Sequence, residues 1–200
     1  MKLLYVLSLS VWVLSSCQNN GSVEKSGDFA GYTLEKIPGS SFQRAYKTEA
    51  GRLIEEGTVL KGQKNGEWVT YHNDEKNYPK VIANYTGGVL NGAYMEISQF
   101  GQFTLVAHYR NDQLDGRVAR YNFTRLSEEV YYKNGVKDGP YAVYFENSDI
   151  KQRTGQFRNG VEDGLIRFYN DKGKVTVEYV YKDGQKVSGG MVEPEGKTEE

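Results

Sequence analysis

A ring returns along this chain at near-regular intervals, and each return is followed by the same punctuation. Tyr85, Tyr109, Tyr132, Phe157 and Tyr181, with Val59 holding the first place, are spaced 23 to 26 residues apart. Three residues after each comes a turn residue: Gly62, Gly88, Asp112, Gly135, Gly160 and Gly184. Four further on comes a second glycine, at Gly66, Gly92, Gly116, Gly139 and Gly164, and the last unit has Ser188 in its place. A period of this length is the signature of a repeat architecture, in which each unit buries its apolar face only by stacking on its neighbours. Such arrays present long surfaces, so a single catalytic pocket is not the expected organisation.

Each unit reads as a β-hairpin. Asn134-Gly135, Asn159-Gly160 and Asp183-Gly184 are the preferred pairs for a type I′ turn, whose two central residues both need positive φ. A second strand follows, with Trp68, Tyr94, Val118, Tyr141 or Ile166 two residues after the second glycine and Tyr71, Ile97, Tyr121, Tyr144 or Tyr169 five after it. Those positions have opposite parity, so a regular strand places them on opposite faces; the alternative is a bulge between them. The second glycine fits two readings: it makes room for a ring from the neighbouring repeat, or it belongs to a second tight turn together with the preceding Asn65, Asn91, Asp115, Asp138 or Asp163. Much Tyr and Gly with only 4 Pro also favours strands and turns. The expected fold is all-β, an elongated single-layer antiparallel sheet of repeated hairpins. It divides into an N-terminal cap or degenerate repeat (29–57), the repeats proper (58–188) and a disordered polar tail (189–200).

The N-terminus is built differently. Met1-Lys2 precedes a near-continuous apolar run from Leu3 to Leu14, which ends in Leu14-Ser15-Ser16-Cys17. The run is too short for a stable bilayer-spanning helix. It resembles the lipobox of bacterial lipoproteins, which implies cleavage after residue 16, acylation of Cys17 and anchoring in a lipid bilayer; an ordinary secretory signal is the competing reading. Residues 17–28 read as a flexible tether. By the same resemblance, Gln18 after the cysteine points to the outer membrane. Cys17 is the one cysteine of the chain, so the mature protein has no disulfide.

The aligned units, above all Lys133 to Tyr144 and then Arg158 to Tyr169, resemble the MORN repeat in its bacterial variant form. The resemblance implies the single-layer sheet already read from the period and says little about chemistry. Some bacterial members of that variant family are antitoxin-like, and eukaryotic members have been proposed as membrane-contacting or scaffolding proteins. The typical eukaryotic first strand, Tyr-x-Gly-x-Trp, is not found here.

No catalytic or metal-binding constellation stands out. His72 and His108 fall at different repeat phases and read as strand residues. The acid pairs Asp112/Asp115 and Glu162/Asp163 sit at turns, where Asp commonly bonds local backbone. No HExxH, GxSxG or P-loop spacing occurs, and no cofactor is expected. A net charge of -1 from 25 basic and 26 acidic residues gives no basis for nucleic-acid binding. The expectation is a non-enzymatic, membrane-anchored lipoprotein that binds a protein or cell-envelope component. An antitoxin-like or immunity protein is the first alternative and a glycan-binding accessory protein the second. The candidate binding residues are Trp68, Tyr71, Tyr94, Tyr121 and Tyr144, which serve equally well as the array's core.

Overall fold

The computed structural model describes residues 29–193; the signal segment, Cys17, the tether and residues 194–200 lie outside the described residues. The described residues are all-β and form one open antiparallel sheet of sixteen strands whose order follows the sequence. They are β1 (Thr33–Lys36), β2 (Phe42–Glu49), β3 (Arg52–Leu60), β4 (Gln63–Tyr71), β5 (Pro79–Thr86), β6 (Val89–Ile97), β7 (Phe103–Arg110), β8 (Gln113–Leu114), β9 (Gly116–Asn122), β10 (Arg125–Lys133), β11 (Val136–Tyr144), β12 (Lys151–Arg158), β13 (Val161–Glu162), β14 (Gly164–Tyr169), β15 (Val175–Lys182) and β16 (Gln185–Met191). The short β8 and β13 pair with β7 and β12 as the first steps of interrupted second strands.

The turn after each recurring ring has positive φ at both central residues. The values are 53° and 74° at Lys61-Gly62, 49° and 79° at Asn134-Gly135, and 51° and 80° at Asp183-Gly184. This is the backbone twist that a two-residue hairpin needs. The opposite ends differ from unit to unit: two-residue turns at 50–51 and 123–124, and longer connections through residues 72–78, 98–102, 145–150 and 170–174. The period varies because only one edge of the array is built from a fixed turn.

The second glycine has a role that neither sequence reading captured. Between the pairs Ala83/Tyr94 and Tyr85/Leu90, the first strand advances two residues while the second advances four. The same holds between Val130/Tyr141 and Tyr132/Lys137. The second strand therefore carries a two-residue bulge, with the glycine inside it at φ 121° (Gly92), 110° (Gly116) or 118° (Gly139), a region that costs other residues strain. Each glycine does lie in register with the next unit's ring, as Gly92 with Tyr109 and Gly139 with Phe157. The space its missing Cβ would take is filled instead by the strand before it: Asn84 Cβ or Tyr131 Cβ, each at 3.0 Å. In the last unit, where Ser188 replaces the glycine, Val180/Ser188 is followed by Tyr181/Lys186, an insertion of one residue. There β16 continues through Met191, three residues past the Ser188 boundary read from the sequence.

Because the bulge inserts an even number of residues, each strand keeps its faces, and the core forms on one of them. A single register row crosses the sheet: Ala45, Gly57, Trp68, Ala83, Tyr94 and Ala107, then Val118, Val130, Tyr141 and Gly155. Outside the Val118/Val130 pair, small first-strand residues alternate with large second-strand ones, so each ring of the row has a glycine or alanine beside it. A Cβ on Gly57 would fall inside the Trp68 indole, and one on Gly155 would meet Tyr141 at 2.7 Å and Ile166 at 2.9 Å. The recurring rings flank this row: Tyr85 packs on the Trp68 cluster, Tyr109 and Tyr132 on Val118, and Phe157 and Tyr181 on Tyr141 and Ile166. Phe29 and Tyr32 cap the first cluster, with ring centroids 6.0 and 6.1 Å from Trp68.

Neighbouring units are also stitched along the regular turns. The turn amides of Asp112, Gly135, Gly160 and Gly184 donate to the carbonyls of Leu90, Leu114, Lys137 and Glu162 in the unit before. Asp115, Asp138 and Asp163, each preceding a bulge glycine, accept the amides of Asn134, Asn159 and Asp183 in the unit after. These side-chain caps have the same logic as a helix N-cap: a short carboxylate satisfies a donor the turn leaves open.

Candidate functional site

The face opposite the core carries the polar and aromatic groups that can meet a ligand. It contains two copies of one arrangement, on β2–β4 and on β9–β11. In the first, Glu56 accepts from Arg44 Nη2 at 2.8 Å and from the Tyr71 hydroxyl at 2.8 Å. In the second, Glu129 accepts from Arg117 Nε at 2.8 Å and from the Tyr144 hydroxyl at 3.0 Å. Glu56 and Glu129 sit at the same phase, three residues before the recurring residue of their unit. Each carboxylate thus fixes a tyrosine ring and a guanidinium side by side across three strands. Between the two copies the same face runs through Val69, Ile82, Met95 and Val106, paired strand to strand.

The five ring candidates therefore separate. Trp68, 2% exposed, and Tyr94 belong to the core face. The indole Nε1 donates to the Thr58 carbonyl at 2.9 Å, and Lys64 Nζ lies 4.2 Å from the ring centroid. The Tyr94 hydroxyl donates to Glu96 at 3.0 Å. Tyr71, Tyr121 and Tyr144, three residues on from Trp68, Val118 and Tyr141, fall on the opposite face and are partly exposed. Both faces are partly covered; a register shift does fall between the two positions, but its extra residue is on the next strand (Thr70/Val81 followed by Tyr71/Pro79, Val143/Arg153 by Tyr144/Lys151), so the second strand itself keeps its alternation. Gly66, Gly92, Gly116, Gly139 and Gly164 all lie in the bulges along the regular-turn edge.

The remaining sequence candidates are tied into the framework. His72 donates through Nε2 to the Ile97 carbonyl at 2.7 Å, and His108 through Nδ1 to the Asp115 carbonyl at 3.1 Å. Asp112 accepts the Leu90 amide at 2.7 Å, and Asp115 and Asp163 pair with Arg110 and Arg158 at 3.1 and 3.0 Å. Glu162 accepts from Tyr141 and Arg153 at 2.5 Å each, on the core face. Among the described residues no group of three His, Cys, Asp or Glu side chains is placed to hold a metal ion. No protein-family model matches the chain, and no curated protein matches it.

Protonation of the tyrosine–carboxylate pairs gives them a pH signature. The Arg44 guanidinium, then the Tyr71 hydroxyl, hold Glu56 below its ordinary value of 4.5. At Glu129 burial pulls upward, and the bonds from Arg117 and Tyr144 outweigh it, so that group is lowered too. Burial, with the bond to Glu56, pushes the Tyr71 phenol up to about 12. The stability contributed by the lowered carboxylates is present above pH 4.5 and is lost as pH falls through their folded values. The contribution of raised Tyr71 is present below pH 10 and is lost as pH climbs toward about 12. The melting temperature of the wild type is expected to drop between pH 5 and pH 3, and Glu56→Gln should flatten that drop. An absorbance titration at 295 nm should lose one late-ionising phenol in Tyr71→Phe; an unchanged late phase would remove Tyr71 from this account.

Proposed function

We propose that this protein is a non-enzymatic lipoprotein of the bacterial cell envelope. Acylated Cys17 holds it to the bilayer, at the outer membrane by the resemblance at Gln18, and the array displays a binding surface for another protein or an envelope component. The observation that carries the reading is the division of labour between the faces: one is consumed by the core, while the other holds Tyr71 and Tyr144 in fixed poses on Glu56 and Glu129. Rings locked by hydrogen bonds and flanked by guanidinium groups supply contact area at low entropic cost, as interface hot spots do. Two or three acyl chains at about 0.8 kcal/mol per buried CH₂ exceed what reversible single-chain binding gives.

Two experiments test the reading separately. Cys17→Ser is expected to move the protein from the membrane to the soluble fraction; retention in the membrane would refute the anchor. Photocrosslinking from Tyr71 and Tyr144 in intact cells is expected to capture one dominant envelope species, and a crosslinker at Trp68 should capture none. Capture of a toxin encoded beside this gene would replace the reading with the antitoxin-like one.

A further inference from the structure

The face opposite the core is hollowed over its later units. Its register row reads Glu56, Val69, Ile82, Met95 and Val106 through the first units, all sizeable side chains. Further on it reads Glu129, Ala142, Thr154 and Arg167. Ala142, 4% exposed, and Thr154 are small, so the surface sinks between the larger groups around them. The result is a trough of about 550 Å³ across β10, β11, β12 and β14, within the usual range for small-molecule sites. Four adjacent strands give it a length of about 14 Å.

The lining is divided by chemistry. One wall is mainly apolar and ring-bearing: Tyr131, Pro140 and Leu165, with Gln156 paired to Pro140 along it and with Tyr131 38% and Leu165 40% exposed. The other is polar, with Glu129 at one end, Arg167 at the other and Lys151 beside them. Arg167 donates through Nε to Glu178 at 2.7 Å, and the Tyr169 hydroxyl shares a 3.0 Å hydrogen bond with Thr154 Oγ1. This polar wall is therefore held in place without an occupant. Charges of both signs on one wall disfavour a polyanion, and the shallow half-polar form disfavours an acyl chain. A pyranose matches it: a C–H face that lies on an aromatic or aliphatic wall, and an edge of hydroxyls that both donate and accept toward carboxylate, guanidinium and hydroxyl groups.

We propose that this trough binds an uncharged stretch of glycan, two to three sugar units long, stacked on Tyr131 and Leu165 and hydrogen-bonded along Glu129, Thr154 and Arg167. The inference rests on the envelope-binding reading above and names the ligand class for one part of that surface. The test is calorimetric titration of the full chain in detergent micelles with chitotriose, maltotriose and cellotriose. Saturable binding of at least one is expected, weakened tenfold or more by Tyr131→Ala and by Leu165→Ala and unchanged in Lys80→Ala, an exposed residue of β5 outside the trough. Leu165 and Gln156 are exposed, so Leu165→Ala and Gln156→Ala keep the test decisive if Tyr131→Ala does not fold. No binding of any trisaccharide, or binding that survives all three trough substitutions, overturns the proposal. A crosslinked partner still captured through Tyr71 or Tyr144 after such a failure would leave the envelope-binding reading standing.

Discussion

Gly57→Ala is expected to destabilise the protein by about 2–4 kcal/mol, although it adds one methyl group. Gly57 has no left-handed backbone requirement, and its added Cβ would fall within the Trp68 ring. The backbone would accept alanine, so the whole cost comes from moving the ring. Overpacking of this kind costs about 1–3 kcal/mol. Displacing the indole also strains its bond to the Thr58 carbonyl and its contacts with Phe29 and Tyr32, each bond being worth about 0.5–1.5 kcal/mol. Gly190→Ala is the control, since nothing lies within 4 Å of its Cβ position, and it should stay within about 0.5 kcal/mol of wild type. Urea unfolding measures both. The double variant Gly57→Ala/Trp68→Val should lose less than the sum of its parts, with a coupling of about 0.5–3 kcal/mol; strict additivity would show that the ring does not rest on the glycine.

The recurring rings, the turn glycines and the Asn-Gly pairs were legible from the chain because they act locally: type I′ geometry needs positive φ whatever surrounds it, and the ring repeats at a fixed offset from that turn. The small residues Gly57, Ala83, Ala107 and Gly155 stand two positions before Val59, Tyr85, Tyr109 and Phe157, so their signal was present too, but its meaning depends on what lies across the strand pair. Only the register that sets Gly57 against Trp68 and Gly155 against Tyr141 turns a small residue into a seat for a ring. The candidate surface was less visible still. Tyr71 and Tyr144 could be named from their spacing, whereas the carboxylates that hold them, fifteen residues back at Glu56 and Glu129, are ordinary strand glutamates by sequence. The trough depends on Ala142 and Thr154 being small where Val69 and Ile82 are large, a contrast on a row the sequence does not display.

The bulge explains why one offset glycine is found in five units and fails in the sixth. A two-residue insertion on the second strand keeps the side-chain faces and bends the strand toward the next unit, and it forces one residue to positive φ beside the preceding strand. Gly139 meets both demands, with φ 118° and its Cβ position 3.0 Å from Tyr131 Cβ, the root of a side chain that cannot swing away. Gly139→Ala is therefore expected to cost about 1–3 kcal/mol of backbone strain and a further 1–3 kcal/mol of overlap, about 2–6 kcal/mol in all. Gly164→Ala separates the two contributions. Its φ is 90°, but nothing lies within 4 Å of the Cβ position, so only the strain of about 1–3 kcal/mol should remain. Denaturant midpoints of the two variants should differ in that order. Equal losses would mean that strain alone fixes the glycine and that contact with Tyr131 is incidental. A larger loss at Gly164 would refute the packing argument, because Gly139 carries the neighbour across the strand in addition to its positive φ. At Ser188, where the insertion shrinks to one residue, the requirement for a glycine passes to Gly189, at φ 108° and held against the backbone of Glu178 and Tyr179.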